Sequence, residues 1–369
     1  MSAVIDRVPG QERAISYLKQ AAERPHHAYV LAGPEGSGKQ LAARAFAAAL
    51  LCKDGGCGDC RDCTLALGDR HPNEFVVEPE GRDIHVETVR DYVWHPANRT
   101  APEPGRKVFL IREADRLNPS AADVLLKVLE EPPADAFLLL LSARPHELPE
   151  TVISRCHVVT FTPLEEGFVV RTLRDEGVDG DLAILVARLS GGNMGRARRL
   201  ARGPDGLAFR DTAAQALESA AQGPAGALVA AQAVLDAAKL HRKGLKGEFD
   251  AEIETFLGKD GRPDEVYAGV IRRLEERHKR REKRSERDFV DWVLLAASAI
   301  LRDRVVAGVG GDPDWRINLD LPNEGDPIEA AAGLGAIEEA RAALADETNL
   351  NPKLVLERAF LQVAGTPAS

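Results

Sequence analysis

The sequence predicts an α/β domain built on a parallel sheet, followed by a small helical region and a larger all-helical one. Three observations carry that expectation. An apolar stretch, Ala28–Ala32, runs into a glycine-rich turn that ends in a lysine, Gly33–Gln40 (GPEGSGKQ). Short apolar runs then alternate with helix-forming segments as far as Pro163, as expected of parallel strands buried on both faces. From Leu164 strand character disappears, and from Pro204 the chain is Ala/Leu-rich and helical in pattern. The expected boundaries are residues 1–163, 164–203 and 204–369.

In order along the chain, Gly10–Glu23 places Ala14, Leu18, Ala21 and Ala22 at helical spacing. The strand Ala28–Ala32 follows, then the loop, then an Ala-rich helix over Leu41–Leu51. Strand, loop and helix form the context in which G-x-x-x-x-G-K-[ST] cradles phosphates with backbone N–H groups while its lysine reaches the outer phosphates. Gly33, Gly36, Gly38 and Lys39 fit that role. Gln40 departs from it, because the hydroxyl that normally helps hold Mg²⁺ is replaced by an amide.

Cys52, Cys57, Cys60 and Cys63 follow within twelve residues, with Gly55, Gly56 and Gly58 between them. Four thiolates at this spacing can close a tetrahedral shell around Zn²⁺, and a closed shell makes the metal structural. A redox pair and an iron–sulfur cluster are the competing readings. Cys156 stands alone and reads as a small buried hydrophobe.

Glu74–Val77 and Ile84–Val86 read as short strands, and Val86–Trp94 as the start of a helix. Lys107–Ile111 (KVFLI) is a buried strand. The residue after such a strand is normally the aspartate that supports Mg²⁺, followed by a glutamate that polarises water. Here Arg112 occupies the aspartate position and Glu113 the glutamate position; a shifted register would use Asp115. A capped helix, Asn118–Pro133, a strand, Phe137–Leu141, and a last strand, Val158–Phe161, complete the domain.

The chain carries 48 Lys and Arg against 58 Asp and Glu, a formal charge of −10, which argues against indiscriminate nucleic-acid binding. The N-terminus lacks the apolar segment of a secretory signal. The longest apolar run, Val293–Leu301, is too short to cross a bilayer. Clustered rather than scattered cysteines suit a reducing compartment, so a soluble intracellular protein is expected.

Several separated stretches together resemble the clamp-loader branch of the AAA+ ATPases: Val8–Gln11 (VPGQ), the loop Gly33–Gln40, the four cysteines, the helix ending in Leu129–Pro133 (LEEPP), and Ser154–Cys156 (SRC). The resemblance implies an AAA+ domain with an inserted zinc module, a lid at 164–203 and a helical collar at 204–369. It implies gamma/tau and delta subunits as partners in a heteropentameric ring. Through the ring it implies a sliding clamp and primed DNA, in the cytoplasm of a bacterium. Gln40, Arg112 and Gly195 depart from the hydrolysing members, which carry an arginine at the Gly195 position of the lid turn Gly192–Ala197. The chain is therefore expected not to hydrolyse ATP itself, although it would belong to a DNA-directed DNA polymerase holoenzyme. In the family the SRC arginine, here Arg155, reaches into a neighbour's nucleotide site as an arginine finger. The plainer alternative is an arginine that satisfies helix carbonyls or a carboxylate.

Two other functions remain open: an ATP-hydrolysing gamma/tau-type motor subunit, and a free-standing zinc-dependent nucleic-acid binder. Arg272–Arg287 is the most basic stretch and reads as a solvated helix with internal ion pairs such as Glu276 with Arg280, or as a contact for nucleic acid or an acidic partner.

Overall fold

The computed structural model describes residues 3–79, 83–201, 207–254, 268–346 and 350–365. The chain divides into two compact units, Met1–Arg198 and Arg199–Ser369.

In the first unit, five parallel strands form one sheet: β1 (Ala28–Ala32), β2 (Glu74–Val77), β3 (Lys107–Ile111), β4 (Ala136–Ser142) and β5 (His157–Thr160), in the order β2-β3-β4-β1-β5. β1, β3 and β4 are buried along their whole length. Their side chains alternate between two cores. On one face Tyr29, Leu31, Leu110 and Leu139 pack against α1 (Glu12–Glu23) and α2 (Lys39–Leu51). On the other, Val30, Phe109, Ile111 and Leu138 meet α4 (Val86–Val89) and α6 (Pro119–Glu130). A strand buried on both faces favours apolar residues along nearly its whole length, with Lys107 and Ser142 at the ends as exceptions, which is why these strands were visible as continuous runs.

α3 (Arg61–Leu67) closes the cysteine segment. α4 continues through a π-helical turn, Arg90–Trp94, into α5 (His95–Ala97). Asn118 caps α6 by accepting a hydrogen bond from the Ala121 N–H at 2.8 Å, a device worth about 1 kcal/mol. The strand expected at Ile84–Val86 is not formed. Ile84 makes a single parallel bridge with Leu117, and Val86 already opens α4. Pairing stops after one residue because His85 takes the N-cap position of that helix.

α7 (Glu150–Ile153) lies before β5, and after β5 the sheet gives way to helices: α8 (Glu166–Asp175), α9 (Gly180–Ser190) and α10 (Met194–Leu200). Gln11 ties this end of the sheet to the glycine-rich loop: its Nε2 donates to the Ser37 carbonyl at 3.0 Å and to the Thr162 carbonyl at 2.7 Å.

The second unit is helical: α11 (Ala208–Ala220), α12 (Pro224–Glu254), α13 (Ala268–Gly308), α14 (Pro327–Asp346) and α15 (Pro352–Val363). Between α13 and α14 the chain is pinned by the fully buried Asp303, which accepts from the Ile317 and Asn318 N–H groups at 2.8 and 2.6 Å. Arg210 of α11 completes the network through Asn318 Oδ1 at 2.9 Å. The basic stretch Arg272–Arg287 lies on α13, but the side chains from Ala268 to Arg284 lie outside the described residues, and with them the nucleic-acid contact considered for it. No described helix is long and apolar enough to cross a membrane.

Candidate nucleotide and metal sites

The glycine-rich loop leaves β1 at the carboxyl edge of the sheet, where open α/β folds bind ligands. Gly33 N–H donates to the Ser142 carbonyl at 3.1 Å, and a Cβ at Gly33 would lie 2.2 Å from the Phe161 carbonyl oxygen. The loop therefore needs glycine here to pass between the ends of β4 and β5. Gly36, at φ +72°, lies beneath Asn193 of the turn before α10, whose Oδ1 would be 1.9 Å from a Cβ at that position. Lys39, 8% exposed, folds its ammonium back onto its own loop, donating to the Gly33 carbonyl and to the Pro34 carbonyl at 2.7 Å. Burial lowers its pKa, and the charges of Glu35 and Asp115 oppose that shift.

Gln40 and Arg112 meet. With the Gln40 amide oxygen turned toward the guanidinium, it accepts from Arg112 Nη2 at 2.9 Å and from Nη1 and Nε at 3.1 Å. The same guanidinium donates to Asp69 at 2.5 Å and pairs with Glu78. Asp69 also receives Arg44, through Nε at 2.8 Å. Burial works to raise the Asp69 pKa, but the hydrogen bonds from Arg44 and the charge of Arg112 hold it below the usual carboxylate range. Glu74, at the start of β2, lies in the same field. Burial, assisted by the charge of Asp69, pushes it up to about 8.

These residues do not fit the Mg²⁺ that a working phosphate-loop site requires. Neither a hydroxyl nor a carboxylate stands at the two positions that hold the ion; a fixed cation, Arg112, fills one and touches Gln40 at the other. Glu113, at φ +49°, pairs with Arg116 at 2.9 Å. Asp115 accepts from Ser142 Oγ at 2.7 Å and from the Ala143 N–H at 3.2 Å. Gly195 is exposed in the first turn of α10, and a Cβ there would meet only Asn193 Oδ1, at 3.4 Å. Steric exclusion does not account for the absence of a side chain at that position.

The four cysteines converge, with their sulfurs all within 4.8 Å of one another. Cys52 lies 3.9 Å from Cys57 and 3.7 Å from Cys60, and Cys57 lies 4.0 Å from Cys63. A tetrahedron with Zn–S arms of about 2.3 Å has edges of about 3.8 Å, so the cluster has the dimensions of a zinc shell. Backbone N–H groups of Asp54 and Gly58 point at the sulfurs of Cys52 and Cys63, each at 3.3 Å. Hydrogen bonds from the Asp59 and Cys60 backbone bring Cys57 down to about 7, toward the thiolate that a metal needs, whereas burial pushes Cys63 up. Zinc here would tie the end of α2 to the start of α3.

A second group, Asp62, His71 and Glu103, is also compact. His71 Nδ1 accepts the Asn73 N–H at 3.1 Å, so the neutral ring carries its proton on Nε2, the nitrogen facing Asp62 at 3.6 Å. That tautomer leaves no free nitrogen lone pair for a metal.

Arg155 lies away from the loop, in the turn between α7 and β5. Its side chain is 36% exposed, with Nη1 on the Thr151 carbonyl at 2.9 Å and Nη2 on Glu130 at 2.7 Å. The neighbouring Cys156 packs against the core, and burial pushes its thiol up to about 12. Asp69, Glu78, Arg44 and Asn193 were not singled out from the sequence. Only the position of Asn193 in a Gly-Gly-Asn turn carried a hint.

A family model described as "DNA polymerase III, delta subunit" matches residues 10–165. The DNA polymerase III subunit delta' of Pseudomonas aeruginosa is 41% identical over 224 residues, covering 58% of this chain and 66% of that protein. The delta' subunit of Escherichia coli is 36% identical over 203 residues, covering 53% and 60%. The DNA polymerase III subunit tau of Salmonella typhimurium is 37% identical over 156 residues, 40% of this chain but only 24% of that protein. The chain thus spans less than two thirds of the length of these relatives.

Proposed function

We propose that this chain, whose residues 10–165 match the DNA polymerase III delta-subunit family model and which resembles delta' subunits at 36–41% identity, is a delta'-type clamp-loader subunit in bacterial replication. In this reading it sits with gamma/tau and delta subunits in a heteropentameric cytoplasmic ring that places a sliding clamp on primed DNA. Residues 1–163 form its AAA+ domain, 164–203 its lid and 204–369 its collar.

The contact between Arg112 and Gln40 supports a subunit that does not hydrolyse ATP. The guanidinium occupies one of the two positions from which Mg²⁺ would be held and touches Gln40 at the other, and Lys39 is occupied by loop carbonyls. What this chain contributes to catalysis is Arg155. Its cation is offered to the charge that develops on a phosphoryl group bound by the neighbouring subunit, an effect of about 10³–10⁵-fold in related systems. Zinc bound by Cys52, Cys57, Cys60 and Cys63 is structural.

Turnover of MgATP by the complex assembled with its gamma/tau and delta subunits tests this reading. Arg155→Ala should leave assembly intact and reduce DNA-stimulated turnover; unchanged turnover would sink the role in trans. A gamma/tau-type motor is the second reading, favoured by the tau similarity and the retained Lys39. It requires the isolated chain to hydrolyse MgATP and to lose that activity in Lys39→Ala. About one zinc per chain is expected by elemental analysis, and the metal should be lost when Cys57 and Cys60 are both replaced.

A further inference from the structure

Glu130, the last residue of α6, faces the turn that carries Arg155. The guanidinium is held from two sides: the Glu130 carboxylate at 2.7 Å and the Thr151 carbonyl, in α7, at 2.9 Å. Glu130 ends α6, where unpaired carbonyls add negative potential, and Thr151 lies in the single turn of α7. The turn itself is anchored by the packing of Cys156.

We propose that Glu130 is a positioning residue for Arg155, fixing the guanidinium before it meets a neighbour's phosphoryl group. The inference rests on the proposed role of Arg155 in trans. A guanidinium has five N–H donors. Glu130 engages it through one oxygen and one terminal nitrogen, not through the two-pronged arrangement that would occupy a whole edge. Donors therefore remain for a phosphoryl oxygen while the side chain is already held in place. An arginine fixed in advance loses less rotational freedom when it engages, so more of its interaction appears in the rate. The opposite role, a carboxylate that competes for the cation, would be weak because the side chains are 36% and 51% exposed and screened by water.

The test is steady-state MgATP turnover of the assembled complex, with clamp and primed DNA, for four versions of this chain: Glu130→Ala, Glu130→Gln, Arg155→Ala, and Glu130→Ala with Arg155→Ala. Glu130→Ala should lower kcat by about three- to tenfold and leave the KM for ATP unchanged, because the nucleotide lies on another chain. Glu130→Gln keeps an acceptor oxygen and should recover most of the loss. In the Arg155→Ala background, Glu130→Ala should have no further effect. If Arg155→Ala slows turnover but Glu130→Ala leaves it unchanged or raises it, the positioning role is overturned and the arginine finger stands. Equal losses from Glu130→Ala in both backgrounds would mean a general structural role and overturn it too. If Arg155→Ala has no effect, the role in trans falls and this inference falls with it.

Discussion

Two arginines of the same domain have opposite surroundings. Arg112, at the end of β3, is 16% exposed and is shared among Gln40, Asp69 and Glu78. Arg155, before β5, is 36% exposed and has one carboxylate, one carbonyl and the Ser154 hydroxyl at 3.5 Å. A guanidinium enclosed by several acceptors is part of the scaffold and cannot leave without stranding the charges around it. One with a single, half-exposed carboxylate can engage a new anion at small cost. The comparison teaches that charge alone does not separate a scaffold cation from an available one; the number and burial of its partners do.

The sharpest way to break the contrast is to remove each arginine and measure both rate and stability. Arg155→Ala should lower turnover of the assembled complex by about 10³-fold, the lower end expected for an arginine finger, while changing unfolding stability by less than about 1 kcal/mol. Arg112→Ala should do the reverse. It should cost about 3 kcal/mol in urea unfolding, because Asp69 and its acidic neighbours lose their shared cation, and leave the turnover of correctly assembled complex near normal. If Arg112→Ala proved neutral in stability, the picture of a structural cation would fail.

Glu74 sharpens the same contrast through pH. Its folded pKa, about 8, lies above the ordinary value of 4.5. The stability it contributes is therefore full below about pH 4.5 and is lost as pH rises toward 8. Stability measured across that window should fall more steeply for the native protein than for Glu74→Gln, and identical profiles would contradict the burial of a neutral carboxyl. The smallest effect is expected at Gly195. Since a side chain there meets little, Gly195→Arg should change stability by about 0.5 kcal/mol or less. On the proposed non-hydrolysing reading it should also give the isolated chain no ATP hydrolysis, because Gln40 and Arg112 keep their positions.

Much of the fold was legible in the residues. β1 and β3 were read at their true ends because each is a continuous run, five residues in β1 and four apolar residues behind Lys107 in β3, bounded by turn formers or charge. The four cysteines were legible as one cluster because their ligand spacing is local. Ile84–Val86 misled because a short apolar pair has no period long enough to separate a strand from a single bridge. Asp69 was invisible: a lone aspartate after α3 gives no sign that the fold carries it to Arg44 and Arg112.

By itself, the sequence determined the strand and helix succession, the metal-sized cysteine group and the three departures at Gln40, Arg112 and Gly195. These follow from residue type and from neighbours within a few positions. That Gln40 and Arg112 touch, and that Arg155 rests on Glu130, was decided only by the tertiary structure. The partners are separated by 72 and 25 positions, and the parallel sheet brings the ends of its strands and helices together whatever their distance along the chain.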